Sequence, residues 1–295
     1  MKLVRFRHKK TESPGVLLPG GDRVLDLHAA LGVGTVEQLL AEGLLDRARE
    51  LERAPGAAAV VPLAAVKLLS PVARPSKIVG VGLNYRDHAA EQNVPLPERP
   101  TLFAKFPNVL NAPGDPIRIP AGFTRVDYEA ELAFVVGKRA RSVPRERALE
   151  FVAGYMNMND VTEREVQKGD KQWVRGKSFD GFGPCGPYLV TSDEVGDPLA
   201  LSIRLALNGD VMQESCTSEL VFGPADLVAF ISATATLEPG DVVTTGTPSG
   251  VGTFRQPPVY LRAGDVVTVE VEKLGTLTNP VVAEDGEEAA SSAAD

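Results

Sequence analysis

Residues 125–136 read RVDYEAELAFVV, and within them Asp127, Glu129 and Glu131 occupy every second position. On a strand, alternate side chains share a face, and at ~3.3 Å per residue the three carboxylates would stand roughly 6.5–7 Å apart. A solvated sheet face carries such residues without difficulty. The flanks FAKFPNVL (103–110) and LAFVVG (132–137) are apolar, however, and place the strand deep in the protein. Buried carboxylates repel one another and lose hydration, so they need a positive partner. Oxygen donors with no His or Cys nearby suit Mg2+, Mn2+ or Ca2+ rather than zinc or copper.

NMNDVTEREVQ (157–167) offers a further ligand, Asp160. Asp160 followed three residues later by Glu163 reads equally as a helix N-cap with its reciprocal acid. His88 and Glu91 sit three apart in GLNYRDHAAEQN (82–93). On a short helix they are neighbours, and a carboxylate beside an imidazole orients it as a general base. Lys177, in the Gly-, Pro- and aromatic-rich QWVRGKSFDGFGPCGP (172–187), is a surface cation or a contact to an anion or enolate. TGTPSGVG (245–252) could supply backbone N–H groups and the Thr247 hydroxyl beside it. Two nucleotide-like signals fail. GVGLNY (80–85) lacks the third glycine of a dinucleotide fingerprint, and the first glycine of a phosphate loop ending in RGKS would fall at Lys171.

These residues have to be held by the elements around them. From Lys77 onward strand signals dominate: 77–83, 100–106, 126–137, 187–191, 201–209, 241–246 and 265–275. Helical patterns cover 145–152, 161–169 and 224–237. Regular alternation of strand and helix is missing, which argues against a doubly wound sheet and for a mostly β, α+β chain. Residues 1–30 read as short strands with a turn at 19–22, followed by a helix over 36–53 with Thr35 as N-cap. The Ala/Pro-rich 54–65 then reads as a connector. The expected organisation is a small N-terminal domain (1–70), a main domain (71–283) and an acidic flexible tail (284–295). LEPGDVVTT (237–245) and LRAGDVVTV (261–269) echo each other as Gly-Asp turns feeding buried strands.

A chain of 295 residues has room for a large core. Its net charge of −8 excludes non-specific nucleic-acid binding, which needs basic surface. Two cysteines build neither a disulfide framework nor a Cys-rich zinc site. No apolar run approaches the ~20 residues of a membrane helix. The basic start MKLVRFRHKK has no apolar targeting core and suits a first strand. The expectation is a soluble, cytoplasmic protein in a reducing compartment.

Taken in order, GVGLNYRDHAAE (80–91), FAKFPNVLNAPGDPI (103–117), VDYEAELAFVVG (126–137), GYMNMNDVTEREVQ (154–167), RGKSFDGFGPCGP (175–187) and TGTPSGVG (245–252) resemble the fumarylacetoacetate hydrolase family. The likeness runs from about residue 72 to 282 and is looser before it. It implies a mixed β-sandwich roll with a small N-terminal domain, assembled as a homodimer, holding Mg2+ or Mn2+ on Glu129, Glu131 and Asp160. Asp127 matches the motif but is not carried over as a ligand. His88 and Glu91 match the family's catalytic dyad, Lys177 its active-site lysine, and Thr247 a substrate-contacting threonine. The implied substrate is a small anionic 2-oxo or 1,3-diketo acid, with no nucleic acid, membrane or organic cofactor involved. The leading expectation is hydrolysis of a C–C bond by water activated at His88. The alternative is decarboxylation or isomerisation of oxaloacetate-like or hydroxymuconate-like acids in aromatic catabolism.

Overall fold

The computed structural model describes residues 1–56 and 59–284. The expected acidic tail therefore lies, beyond Glu284, outside the described residues. The fold is mostly β, as expected. Its centre is strand Ala130–Val136, every residue of which is buried. It pairs antiparallel with Val152–Asn159 on one side and with Val242–Thr244 on the other. A strand covered on both faces has no polar side to show, which is why AELAFVV is almost continuously apolar. The remaining sheet extends through Gly183–Thr191 to Lys2–His8 and Thr11–Leu17 at one end. At the other end it runs through Ile78–Gly82 to the edge strand Thr101–Lys105. The first strands of the chain thus belong to the same sheet as the central ones.

Alternation along the central strand feeds two cores. Leu132, Phe134 and Val136 pack with Ile203, Leu205, Val269 and Leu277 of a five-stranded sheet, which makes the sandwich. Ala133 and Val135 pack on the opposite side with Val36, Leu39 and Leu40 of the N-terminal helices. Strands Asp210–Cys216 and Thr276–Ala283 complete the smaller sheet and have no counterpart in the sequence reading.

Three expected elements are corrected. The helix over 36–53 is two helices, Val36–Ala41 and Leu45–Arg53, with Thr35 capping the first through Gln38 N–H. Gly43 stops the first helix at φ +68°, a left-handed conformation that only glycine adopts cheaply. The pattern at 145–152 forms a 3-10 helix, Arg145–Phe151. The single strand expected at 126–137 is interrupted. Val126–Asp127 pairs with Thr162–Glu163 in a small ladder of its own, and the long strand starts only at Ala130.

Candidate active site

The interruption at Tyr128–Glu129 separates the three acids of the motif. Glu131 stays on the central strand, and Glu129 lies in the break, where its N–H is held by Asn159 Oδ1 (3.0 Å). The Glu129 carbonyl accepts from Asp160 N–H (2.9 Å), fixing Asp160 just past the end of Val152–Asn159. Glu129, Glu131 and Asp160 each offer a carboxylate oxygen within 4.8 Å of the others, and all three are buried. Asp160 is not a helix cap. Glu163 takes that part, accepting from Val166 N–H (2.7 Å) at the start of helix Arg164–Gly169.

Asp127 points elsewhere. Its carboxylate accepts from Gly252 N–H (2.8 Å), Thr253 N–H (2.9 Å) and Arg164 Nε (2.8 Å), and it is fully buried. Four donors, its own neighbour Tyr128 N–H included, leave it no part in the cluster of three.

The positive charge around the cluster comes from two lysines and Arg164, which pairs with Glu129 (2.7 Å). Lys177 Nζ reaches Glu129 Oε2 (2.8 Å), Asp160 Oδ2 (2.6 Å) and Thr162 Oγ1 (2.9 Å), so it is no surface cation. Lys105, equally buried, reaches Asp160 Oδ1 (2.5 Å) and Phe182 O (3.0 Å). Burial pushes the Glu129 carboxyl up, but Lys177 and Arg164 outweigh it and hold it at about 2. Glu131 differs. Burial first, then Asp160 and Glu129, drive it well above the usual carboxylate range. Its Oε2 accepts from the Thr244 hydroxyl and from Gly246 N–H (2.7 Å), and among the described residues it has no cationic partner within ion-pair distance. The cluster is therefore short of positive charge at Glu131, and its donors are hard oxygens only. A divalent cation of the Mg2+ or Mn2+ type fits that donor set.

Helix Arg86–Glu91 carries the dyad. Glu91 Oε2 lies 2.9 Å from His88 Nδ1, and Gln92 Nε2 donates to His88 Nε2 (2.8 Å). That network assigns the proton to Nδ1 and makes Nε2 the unprotonated nitrogen, its lone pair accepting from Gln92, which lines the same cavity as His88. The other Glu91 oxygen is held by Gly250 N–H (2.9 Å). The 245–252 loop thus clamps the site's own acids: Gly246 holds Glu131, Gly250 holds Glu91 and Gly252 holds Asp127. Its amides were expected beside a bound anion, and these three are already taken. Thr247 Oγ1 accepts from Gln213 Nε2 (2.8 Å), which leaves its own O–H free to donate.

A cavity of about 420 Å³ joins the two halves, lined by His88, Glu129, Glu131, Lys177 and Thr247. Phe103, Trp173 and Phe254 form its apolar walls. Phe254 packs on His88 with ring centroids 5.9 Å apart, and the Phe103 ring lies 4.8 Å from Lys177 Nζ. Of the residues singled out in the sequence, Glu91, Asp127 and Asp160 do not line this cavity: Glu91 is held on His88, and Asp160 on Lys177. The sequence reading missed Arg164, Lys105, Gln92, Gln213 and the aromatic walls.

The family model for the fumarylacetoacetate (FAA) hydrolase C-terminal domain matches residues 77–282. The chain is 44% identical over 297 residues to a Xenopus laevis protein named oxaloacetate tautomerase fahd2, mitochondrial, covering 96% of this chain and 90% of that one. Among solved structures, 5-carboxymethyl-2-hydroxymuconate delta-isomerase from Mycobacterium smegmatis is 36% identical with a TM-score of 0.78, covering 97% of this chain and 100% of that one. Maleylpyruvate hydrolase from Sphingobium sp. SYK-6, in complex with manganese(II) and pyruvate, is 32% identical with a TM-score of 0.81, again covering 97% and 100%. The cytoplasmic expectation is corrected by these relatives, since those from Xenopus laevis, Bos taurus and Homo sapiens are named mitochondrial. No described helix is long and apolar enough to cross a membrane.

Proposed function

This chain belongs to the fumarylacetoacetate hydrolase family, and on that premise we propose that it is a divalent-metal-dependent tautomerase or isomerase of a small 2-oxo acid of the oxaloacetate type. The observation that carries the reading is the meeting, in one cavity, of a buried three-carboxylate cluster and a His–Glu dyad whose His88 lines that cavity. C–C hydrolysis, the leading expectation from sequence, becomes the second reading. The names of the curated relatives favour tautomerisation, while a hydrolase stands among the structural neighbours.

Glu129, Glu131 and Asp160 would hold Mg2+ or Mn2+. A cation there supplies Lewis acidity toward the oxygens of a 2-oxo acid, which makes the adjacent C–H acidic. The remaining work falls to side chains. His88 Nε2 takes the proton from the carbon next to the keto group, and Glu91 stabilises the imidazolium that results. Toward the enol the same nitrogen delivers that proton to the oxygen; toward the ketone it takes the enol O–H proton and delivers it to the carbon. Lys177 brings fixed positive charge to the developing enolate, in a cavity with aromatic walls. The Thr247 hydroxyl donates to the substrate. Water activation would use the same lone pair, so one base serves either reading.

The test is ketonisation of enol-oxaloacetate, followed by absorbance with Mg2+ or Mn2+. Wild-type protein should accelerate it, and His88→Ala should remove most of the acceleration, about 10²–10⁴-fold for a general base. Equal rates with and without protein would reject the proposal.

A further inference from the structure

The formal charges around the cluster are unequally used. Asp127, Glu129, Glu131 and Asp160 bring four negative charges, and Arg164, Lys105 and Lys177 answer with three positive ones through direct ion pairs. With a divalent cation on the three carboxylates, one positive charge is left over. The carboxylate of a 2-oxo acid balances it.

Two further cations line the same cavity, Lys168 and Lys171. Among the described residues neither has a carboxylate partner within ion-pair distance. The acids nearest to them in sequence are engaged elsewhere, Glu165 with Arg125 (3.1 Å) and Asp170 with Arg175 (2.5 Å). Lys168 lies four residues after Arg164 on helix Arg164–Gly169, so the two side chains share a face one turn apart, ~5.4 Å along the axis. Arg164 at the inner turn holds Glu129 (2.7 Å). Lys168 therefore stands about one helical turn from the partner of a metal ligand, on the same cavity wall. A lysine stacked on helix surface needs no ligand; two unpaired ones facing a cavity that already carries a balanced first anion do ask for a second.

We propose that Lys168 and Lys171 dock a second carboxylate, so that the site selects dianionic 2-oxo dicarboxylic acids over monoanionic 2-oxo acids. This rests on the reading above that the metal end receives the 2-oxo carboxylate. Ammonium groups at a cavity mouth act on a distal substrate carboxylate by direct charge-assisted hydrogen bonding. Flanking apolar walls, Trp173 and Phe103, lower the local dielectric and strengthen the contact.

A matched pair of unreactive ligands tests it. N-oxalylglycine presents an oxalyl head and a distal carboxylate, and N-isobutyloxamate replaces that carboxylate with an isopropyl group of similar shape. Oxalate presents the head alone. Binding of all three to the Mn2+-loaded protein is measured by calorimetry. Wild-type protein should prefer N-oxalylglycine over N-isobutyloxamate by about tenfold, the scale of one charge-assisted contact. Lys168→Gln/Lys171→Gln should cut that preference to within about twofold while leaving oxalate affinity unchanged. Both side chains are exposed, so the double variant should fold as wild type does. Oxalate binding with no preference, or a preference that survives in the double variant, overturns the lysine subsite alone. Failure to bind oxalate at all overturns the reading of the metal end, and the subsite with it.

Discussion

Asp127 and Glu129, two residues apart in sequence, are joined by one guanidinium: Arg164 donates to Asp127 through Nε (2.8 Å) and reaches Glu129 through Nη1 (2.7 Å). Asp127 also accepts from Gly252 and Thr253, the residues that lead into Phe254 against His88. An acid that does not join the cluster thereby ties the base side of the cavity to the ligand side.

Asp127→Asn should therefore weaken Mn2+ binding without removing a ligand. An Asn at this position leaves the Arg164 charge half-paired in a buried setting. Breaking one partner of a buried pair costs about 3–5 kcal/mol, and loss of an outer partner of a metal ligand typically costs 10–100-fold in affinity. We expect a melting temperature lower by roughly 10 °C and Mn2+ affinity lower by about tenfold or more. Thermal unfolding and calorimetric titration read these separately, and unchanged affinity would show that Arg164 does not steady Glu129.

Glu131 makes metal binding pH-dependent. Burial and the neighbouring Asp160 and Glu129 carboxylates raise its carboxyl, so without a cation it keeps its proton to higher pH than an ordinary glutamate. A cation takes the ionised form and must release that proton. Affinity should thus rise with pH, by up to about tenfold per unit, and level off once Glu131 ionises unaided. Mn2+ titrations in two buffers of different ionisation enthalpy measure the proton release. Glu131→Gln should lose the release as well as most of the affinity; a release that persists in this variant would assign the proton to another group.

Gly82 gives Trp173 its place on the cavity wall. A Cβ at Gly82 would stand 2.3 Å from Trp173 Cζ3, so Gly82→Ala has to push the indole aside. Trp173 is only half-buried and can move, which should keep the loss of stability to about 1 kcal/mol or less. The effect is expected in KM, raised several-fold, with kcat nearly unchanged, because the wall is displaced and the dyad is not. A fall in kcat at constant KM would place Trp173 closer to the chemistry than the cavity wall.

Much of the site was legible because its chemistry is local in sequence. His88 and Glu91 lie on one turn of helix, and Glu129, Glu131 and Asp160 flank two paired strands whose apolar pattern is plain. The role of Asp127 was not legible, since alternation continues through VDYEAEL although the backbone leaves the long strand at Tyr128. Arg164 read as one polar residue of a helix, and its partner Asp127 is 37 positions away. Lys105 and Lys177 have no local mark that distinguishes an ammonium buried on Asp160 from one in solvent. Gly43 was a visible stop signal inside 36–53, and it was overridden by the helical spacing on either side.

The central claim is that one base, His88 Nε2, exchanges a proton with the carbon beside the keto group from one side of the substrate. Ketonisation of enol-oxaloacetate in D2O with Mg2+, trapped at once by reduction to malate, reads that side directly by proton NMR. Wild-type protein should place deuterium in one of the two C3 positions, and His88→Asn should return the even mixture formed in buffer. An even mixture from the wild-type, metal-loaded protein at an accelerated rate would contradict a single positioned base at His88.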